Sequence, residues 1–343
     1  MNKLDGYKEE IKNKKILSVQ INLLNRCTSH CQSCRKYMWP NDMLPIEDIF
    51  NTLKYLKDQG CTSVFFSGGD PICYPQFSDV IDYCMAIDLP YSLITTLICK
   101  NETLLEKIAR TAYRIHVSMD ADNIEDYKFI RGVDGFEIAK QAIDYINSIR
   151  FKDQIPIRLS STIGALNYNK VFDIYKFAKD HECLINFYYI QLWGNLQMTN
   201  KMEHEFYYQL NLVASDEKCN KRVISNAKNL INEKYSFDNV VFCEKCYIPE
   251  ISAIINCDGN IYPCCGLFIE FRKDYNECLQ YSYGNIIGKS ERELENEFNK
   301  RFSKQYPEYC KECDDCIKKN ERYNSINNEI KFMLNETKKP LFI

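Results

Sequence analysis

At 343 residues the chain has room for one large core with a smaller module, or for two domains. Its 45% hydrophobic content and formal charge of -3, from 44 basic and 47 acidic side chains, suit a soluble globular protein and exclude a polybasic nucleic-acid or membrane surface. The N-terminal MNKLDGYKEEIKNKK is charged and lacks a signal-peptide core, and no run of about 18 apolar residues offers a membrane span. A cytoplasmic location is therefore expected, with thiols kept reduced. The 18 cysteines then point to metal or cluster ligands rather than disulfides.

After a tail over residues 1–16, ILSVQINLLN reads as a buried strand, and PIEDIFNTLKYLKDQG as a helix with a Pro start and a Gly stop. The unit repeats through TSVFFSGGD and FSDVIDYCMAID, YSLITTLI and ETLLEKIARTA, RIHVSMD and GFEIAKQAIDYINSI, IPIRLSSTI and NKVFDIYKFAKD, and ends on INFYYIQLW. Six strands alternating with helices over residues 17–200 predict a parallel sheet, because parallel neighbours need crossover connections. A polar helical connector over 201–240 follows. A cysteine-rich segment over 241–320 comes next, with nine of the 18 cysteines between 243 and 316, and then a helical tail over 321–343.

Directly after the first strand, NRCTSHCQSCRKYMWP sets Cys27, Cys31 and Cys34 in a C-x3-C-x2-C spacing. Parallel sheets carry their working residues at the C-terminal ends of the strands. Three thiolates are odd for a disulfide framework and one short for tetrahedral zinc. A 4Fe-4S cluster held by three thiolates leaves one iron open to a small molecule.

That triad, followed by SGGDP after the second strand, resembles the radical S-adenosylmethionine (SAM) superfamily. The resemblance implies an α/β fold with a partial (β/α)6 TIM-like barrel. It implies that Cys27, Cys31 and Cys34 ligate three irons while the methionine group of SAM chelates the fourth. An external donor such as flavodoxin or ferredoxin would reduce the cluster, and cleavage of SAM would give a 5'-deoxyadenosyl radical that abstracts a substrate hydrogen. Gly68 and Gly69, without Cβ atoms, would let backbone approach the ligand, and Asp70, where the family has Glu, would accept from the SAM amino group. A lone GGD is otherwise a common turn.

Further positions carry over with alternatives. Ser118 would contact the ribose or be a plain strand-end hydroxyl. Arg131 would belong to the RG turn or be a surface salt-bridge residue. Ile163 would pack on adenine or be core, and Asn167 would lie near the site. Ser33 stands where many members have an aromatic, passing the adenine contact to Tyr37 or Trp39. Cys73 is a candidate hydrogen donor to a substrate radical, or a small hydrophobe like the other scattered cysteines.

In the cysteine-rich segment, Cys246, twelve residues, Gly259, four residues and Cys264 resemble the opening of the SPASM and twitch extensions of radical enzymes. Cys310 and Cys313, with Cys316 beyond, resemble the closing ligands. A SPASM domain holds two clusters and needs later cysteines, which are lacking after Cys316, so one auxiliary 4Fe-4S cluster is expected. Its ligands would be Cys246, Cys264, Cys310 and Cys313, with Cys316 or Cys243 as substitutes, leaving Cys257, Cys265 and Cys278 unassigned. Structural zinc on four thiolates is the competing reading.

The expected substrate is a peptide or protein to be crosslinked, epimerised or oxidised. One alternative is a twitch-type dehydrogenase or epimerase of a sugar or aminocyclitol. Another is a non-catalytic zinc or cluster protein that binds a partner. Only about 16 residues precede the first strand, which argues against a fused leader-binding domain. The four histidines lack zinc-hydrolase spacing, and no G-x-S-x-G or P-loop sequence occurs.

Overall fold

A computed structural model describes residues 13, 15–34, 39–189, 196–235, 251–264 and 275–302. The strands β1 (Ser18–Asn22), β2 (Ser63–Ser67), β3 (Tyr91–Thr95), β4 (Arg114–Ser118), β5 (Arg158–Ile163) and β6 (Leu184–Tyr189) lie side by side in sequence order. All five of their pairings are parallel. Between them run α1 (Ile46–Asp58), α2 (Phe77–Ala86), α3 (Glu102–Thr111), α4 (Ile124–Arg131), α5 (Phe136–Ile149) and α6 (Val171–Asp180). The fold is the α/β, partial-barrel class expected from the sequence. The β4–β5 crossover carries α4 as well as the predicted α5.

After β6 come α7 (Asn200–Ser215) and α8 (Lys221–Tyr235), then β7 (Ser252–Ile255), β8 (Asn260–Tyr262), α9 (Tyr275–Leu279), β9 (Gly284–Asn285) and α10 (Glu291–Asn299). The strand β7 pairs in parallel with β1, Ser18 opposite Ser252 and Gln20 opposite Ile254. The strands β8 and β9 then continue the same sheet antiparallel, in the order β6-β5-β4-β3-β2-β1-β7-β8-β9. The predicted series of strands ends at β6. The pairing of β7 to β1 is formed by residues more than 230 positions apart, beyond any local pattern.

Strands of a two-sided parallel sheet read as continuous apolar runs. These alternate instead. Val19, Ile21, Val64, Phe66, Val117 and Leu159 point outward and are fully buried or nearly so under the helices. Their neighbours Ser18, Gln20, Ser67, His116, Ser118 and Ser160 point inward and are only half-buried. A closed barrel fills its interior with branched apolar side chains; this open sheet keeps a half-buried concave face on which Phe65 and Ile94 stand among serines, Gln20 and His116.

Local chemistry fixes the helix starts that border that face. Asn101 caps α3 by accepting from Leu104 N at 3.1 Å, and Asn123 caps α4 by accepting from Asp126 N at 2.9 Å. Ser290 and Glu293 form a capping box on α10. That helix packs against α1, with Tyr55 stacked on Phe298 at 5.3 Å between centroids and Lys54 paired with Glu291 at 3.0 Å.

Candidate active site

The loop after β1 is closed at its base like a short ladder. Leu44 N donates to Leu23 O at 2.9 Å and Asn25 N to Asp42 O at 3.0 Å, while Asn25 Nδ2 reaches the carbonyls of Trp39 and Pro40. Cys27, Cys31 and Cys34 project from it half-buried, none of them in a disulfide. The loop is strapped to the end of α4: His30 N donates to Arg131 O at 2.9 Å, Gln32 N to Ile130 O at 3.0 Å and Gln32 Nε2 to Phe129 O at 2.8 Å.

Gly132 ends α4 with φ of +64°, and a Cβ there would meet His30 O at 2.7 Å. Only glycine satisfies both the left-handed turn and the pressure of the loop. The glycines of SGGD are constrained in the same way. A Cβ on Gly68 would lie 2.5 Å from Leu24 O, and one on Gly69 would lie 2.1 Å from Arg26 O. Gly69 N donates to Leu24 O at 2.7 Å and Asp70 N to Arg26 O at 3.0 Å. The sequence reading expected a ligand to press on these glycines; the backbone of the cysteine loop itself does so.

Asp70 is fully buried. Its Oδ2 accepts from Thr96 N at 2.8 Å and Thr96 Oγ1 at 2.6 Å, and its Oδ1 from Ile72 N at 3.3 Å. Burial raises the carboxyl's pKa, and the Thr96 bonds act against that rise. Thr96 Oγ1 also lies 3.4 Å from Thr28 Oγ1 of the cysteine loop, so one threonine at the end of β3 ties the loop to the GGD turn. Sequence reasoning missed Thr96. Its signal was the polar TT pair interrupting an apolar strand. Cys73 ends the 3-10 turn after Asp70, half-buried against the hydrophobic core.

Arg131 is not the surface residue that its alternative reading proposed. Its side chain and that of Asp120 are 8% and 3% exposed, and they pair at 2.7 Å. The same guanidinium donates to Cys31 Sγ at 3.5 Å. Burial alone would lower the pKa of Arg131, but Asp120 and Cys31 more than offset this and hold it raised. Burial works to raise Asp120 and the guanidinium works against it. At 2.7 Å from a group that stays protonated, the pair is ionic. Asp120 Oδ1 also accepts from Thr162 N at 2.7 Å, so the ion pair joins the ends of β4 and β5 to the cysteine loop.

Ser118 stands half-buried at the end of β4 beside Ser160. Ile163 is fully buried and belongs to the main core cluster. Asn167 is buried, its Oδ1 accepting from Gly164 N at 3.0 Å and its Nδ2 donating to Asp120 O at 3.0 Å and Thr162 O at 3.1 Å. These bonds make it a brace between the ends of β4 and β5.

Of the expected auxiliary ligands, Cys246, Cys310, Cys313 and Cys316, with the substitute Cys243, lie outside the described residues. Cys264 is half-buried beside a cluster of Ile254, Tyr262, Cys278 and Tyr281, against which Trp39 also packs. Tyr37 lies outside the described residues. Asn22 Nδ2 donates to Asn256 Oδ1 at 3.3 Å, joining the end of β1 to the segment after β7. The neighbouring Cys257 is buried, and burial pushes its thiol up to about 12.

Three thiols on one short loop match the donor set of a four-iron cluster, which takes each thiolate on a separate iron. Arg131 adds positive charge beside one thiolate.

Residues 21–178 match the family model of the Radical SAM superfamily, and residues 246–317 match SPASM, an iron-sulfur cluster-binding domain. Together the two matches span more than half of the chain. A probable GTP 3',8-cyclase from Methanothermobacter marburgensis is 25% identical over 178 residues, 50% of this chain and 56% of the relative, so the matched stretch is about half the length of that protein. Among solved structures, anSMEcpe with bound AdoMet and a peptide aligns with a TM-score of 0.59 at 15% identity, covering 95% of this chain and 92% of the other. SuiB from Streptococcus suis bound to its precursor peptide SuiA aligns with a TM-score of 0.56 at 16% identity, covering 79% and 65%.

Fold and site thus define an iron-sulfur enzyme built on a partial TIM-like barrel. The chain belongs to the radical SAM superfamily, with a SPASM-type domain after the barrel. Its cofactors are a 4Fe-4S cluster, SAM and an auxiliary iron-sulfur cluster. Among the described residues, no helix is long and apolar enough to cross a membrane.

Proposed function

We propose that this enzyme abstracts a hydrogen atom from a peptide or protein and so crosslinks, epimerises or oxidises it. The observation that carries this reading is the likeness over nearly the whole of both chains to anSMEcpe, whose structure holds AdoMet and a peptide. The concave face supports it, since half-buried polar residues such as Ser67 and Ser118 stand at the strand ends where a substrate would meet SAM.

When bound, the cluster and SAM supply the 5'-deoxyadenosyl radical. The chain's own residues do the rest. Cys27, Cys31 and Cys34 hold the cluster, and Arg131 and Thr96 fix their loop. The half-buried Gly68, Gly69 and Ser118 would border the bound SAM, while the buried Asp70, Ile163 and Asn167 hold the strand ends behind it. In the auxiliary domain, Cys246, Cys264, Cys310 and Cys313, with Cys316 in reserve, would hold one cluster, which would supply an electron acceptor, a structural support or a substrate contact.

Anaerobic enzyme is to be reduced with dithionite and given SAM and peptides encoded beside the gene, deuterated at candidate positions. Deuterium appearing in 5'-deoxyadenosine, with a mass change in the peptide, is the expected result. A second reading has the sequence likeness to GTP 3',8-cyclases behind it: a nucleotide or sugar substrate. It predicts that deuterium is transferred from GTP or a sugar and from none of the peptides.

A further inference from the structure

Two buried donors on α4 lack an acceptor in the protein. Tyr127 and Arg131 stand one turn apart, an i,i+4 pair on one face of that helix. Tyr127 is fully buried and Arg131 is 7% exposed. Among the described residues, Tyr127 Oη and Arg131 Nε have no hydrogen-bond partner. A buried donor left unpaired is costly, so two on one helix face call for an acceptor.

The acids nearby do not supply it. Asp120 pairs with Arg131 Nη2 at 2.7 Å and accepts from Thr162 N, while Asp70 accepts from Thr96 and Ile72. The Tyr127 ring packs edge-on against Phe136, with centroids 5.7 Å apart. Burial raises the pKa of its hydroxyl, Arg131 works against that rise, and Cys31, Asp120 and Asp70 add to it. The hydroxyl is therefore a protonated donor within electrostatic reach of Cys31. Arg131 already aims one donor at sulfur, its Nη1 lying 3.5 Å from Cys31 Sγ. A 4Fe-4S cluster adds inorganic sulfides to the cysteine thiolates, and these would be the acceptors that Tyr127 and Arg131 lack.

We propose that Tyr127 and Arg131 donate hydrogen bonds to sulfur atoms of the cluster on Cys27, Cys31 and Cys34 and so set its reduction potential, with Asp120 as the opposing charge. Hydrogen bonds to the sulfurs and net charge tune such potentials. Reduction adds one electron and makes the cluster more negative. A cation or donor at its sulfur favours the reduced form, and a nearby carboxylate disfavours it. Tyr127 and Arg131 thus raise the potential and Asp120 lowers it. The inference rests on the three-cysteine cluster and not on the choice of substrate.

The test is a redox titration of the anaerobically reconstituted full-length protein, followed by electron paramagnetic resonance, with iron content measured for each variant. The loop cluster is the signal that changes on adding SAM and is missing when Cys27, Cys31 and Cys34 are changed to Ala. Tyr127→Phe is expected to lower the reduction equilibrium of that cluster threefold or more, about 28 mV for one electron. Asp120→Asn, which keeps an oxygen for Thr162 N and the guanidinium, is expected to raise it tenfold or more, about 59 mV.

Opposite signs are what a merely structural role would not give, since loosened packing would wet the cluster in both variants and move both one way. Any pattern other than a fall for Tyr127→Phe and a rise for Asp120→Asn overturns the proposal. Should either variant fail to take up iron, Arg131→Lys keeps the charge and loses the second donor. A lower potential then supports the proposal, and an unchanged or higher one overturns it. The titration needs neither peptide nor turnover, so its failure and that of the peptide assay are read separately.

Discussion

The guanidinium of Arg131 reaches Sγ of Cys31 at 3.5 Å across one hundred positions of sequence, from the end of a helix that the cysteine loop leans on. Because Asp120 holds the other side of that guanidinium, removing Arg131 strips a cluster thiolate of its donor and leaves a buried carboxylate without its cation. Arg131→Gln is expected to cost about 3–5 kcal/mol in stability and to reduce iron bound after reconstitution. Arg131→Gln with Asp120→Asn should recover part of the stability without restoring the iron. Chemical denaturation and iron assay measure the two effects, and full iron in the single variant would refute the link to the loop.

The GGD turn is filled by protein before any ligand arrives. Gly69→Ala is expected to cost about 1–3 kcal/mol or more, since the clash is with backbone that cannot swing aside. It should also displace the cysteine loop. Gly288→Asn, at a left-handed glycine with nothing within 4 Å of its Cβ position, serves as the comparison and should change stability by less than about 1 kcal/mol. Thermal melts of the two variants decide whether space at Gly69 is the constraint.

Two clusters predict two separable signals. With Cys27, Cys31 and Cys34 all changed to Ala, the anaerobically reconstituted protein should keep a reducible 4Fe-4S electron paramagnetic resonance signal from the auxiliary site. Further loss of Cys264 should abolish or alter that signal. Zinc in place of iron in the triple variant would count against an auxiliary redox role.

His116 carries a pH signature. Its folded pKa of about 4 lies below the ordinary value of 6.5, because burial and then Arg158 and Arg114 disfavour the charged ring. A depressed folded pKa means stability is fully present above about pH 6.5 and is lost as pH falls through about 4. The site is half-buried, so the loss is about 1–2 kcal/mol rather than the full shift. Denaturation between pH 7 and 4 should show a shallower decline for His116→Gln than for wild type, and equal slopes would contradict the assignment.

Asn167 spends its amide on three backbone groups that close the ends of β4 and β5. Asn167→Ala should therefore lower stability by about 1–3 kcal/mol through stranded polar groups. An effect on SAM affinity with no loss of stability would instead make it a ligand contact.

The sequence by itself determined the six-strand alternation, the placing of Cys27, Cys31 and Cys34 after β1, and the glycines after β2. Those features are local: strand period, helix stops and residues without a Cβ are written in adjacent positions. What pressed on Gly68 and Gly69, and where Arg131 pointed, were decided only when β1, β2 and α4 met. The single pairing Arg131–Asp120 turned an apparent surface residue into a buried brace. The strand β7 was hidden for the same reason. A serine and three apolar residues after a long connector have no period of their own, and only the free edge of β1 makes them part of the barrel sheet.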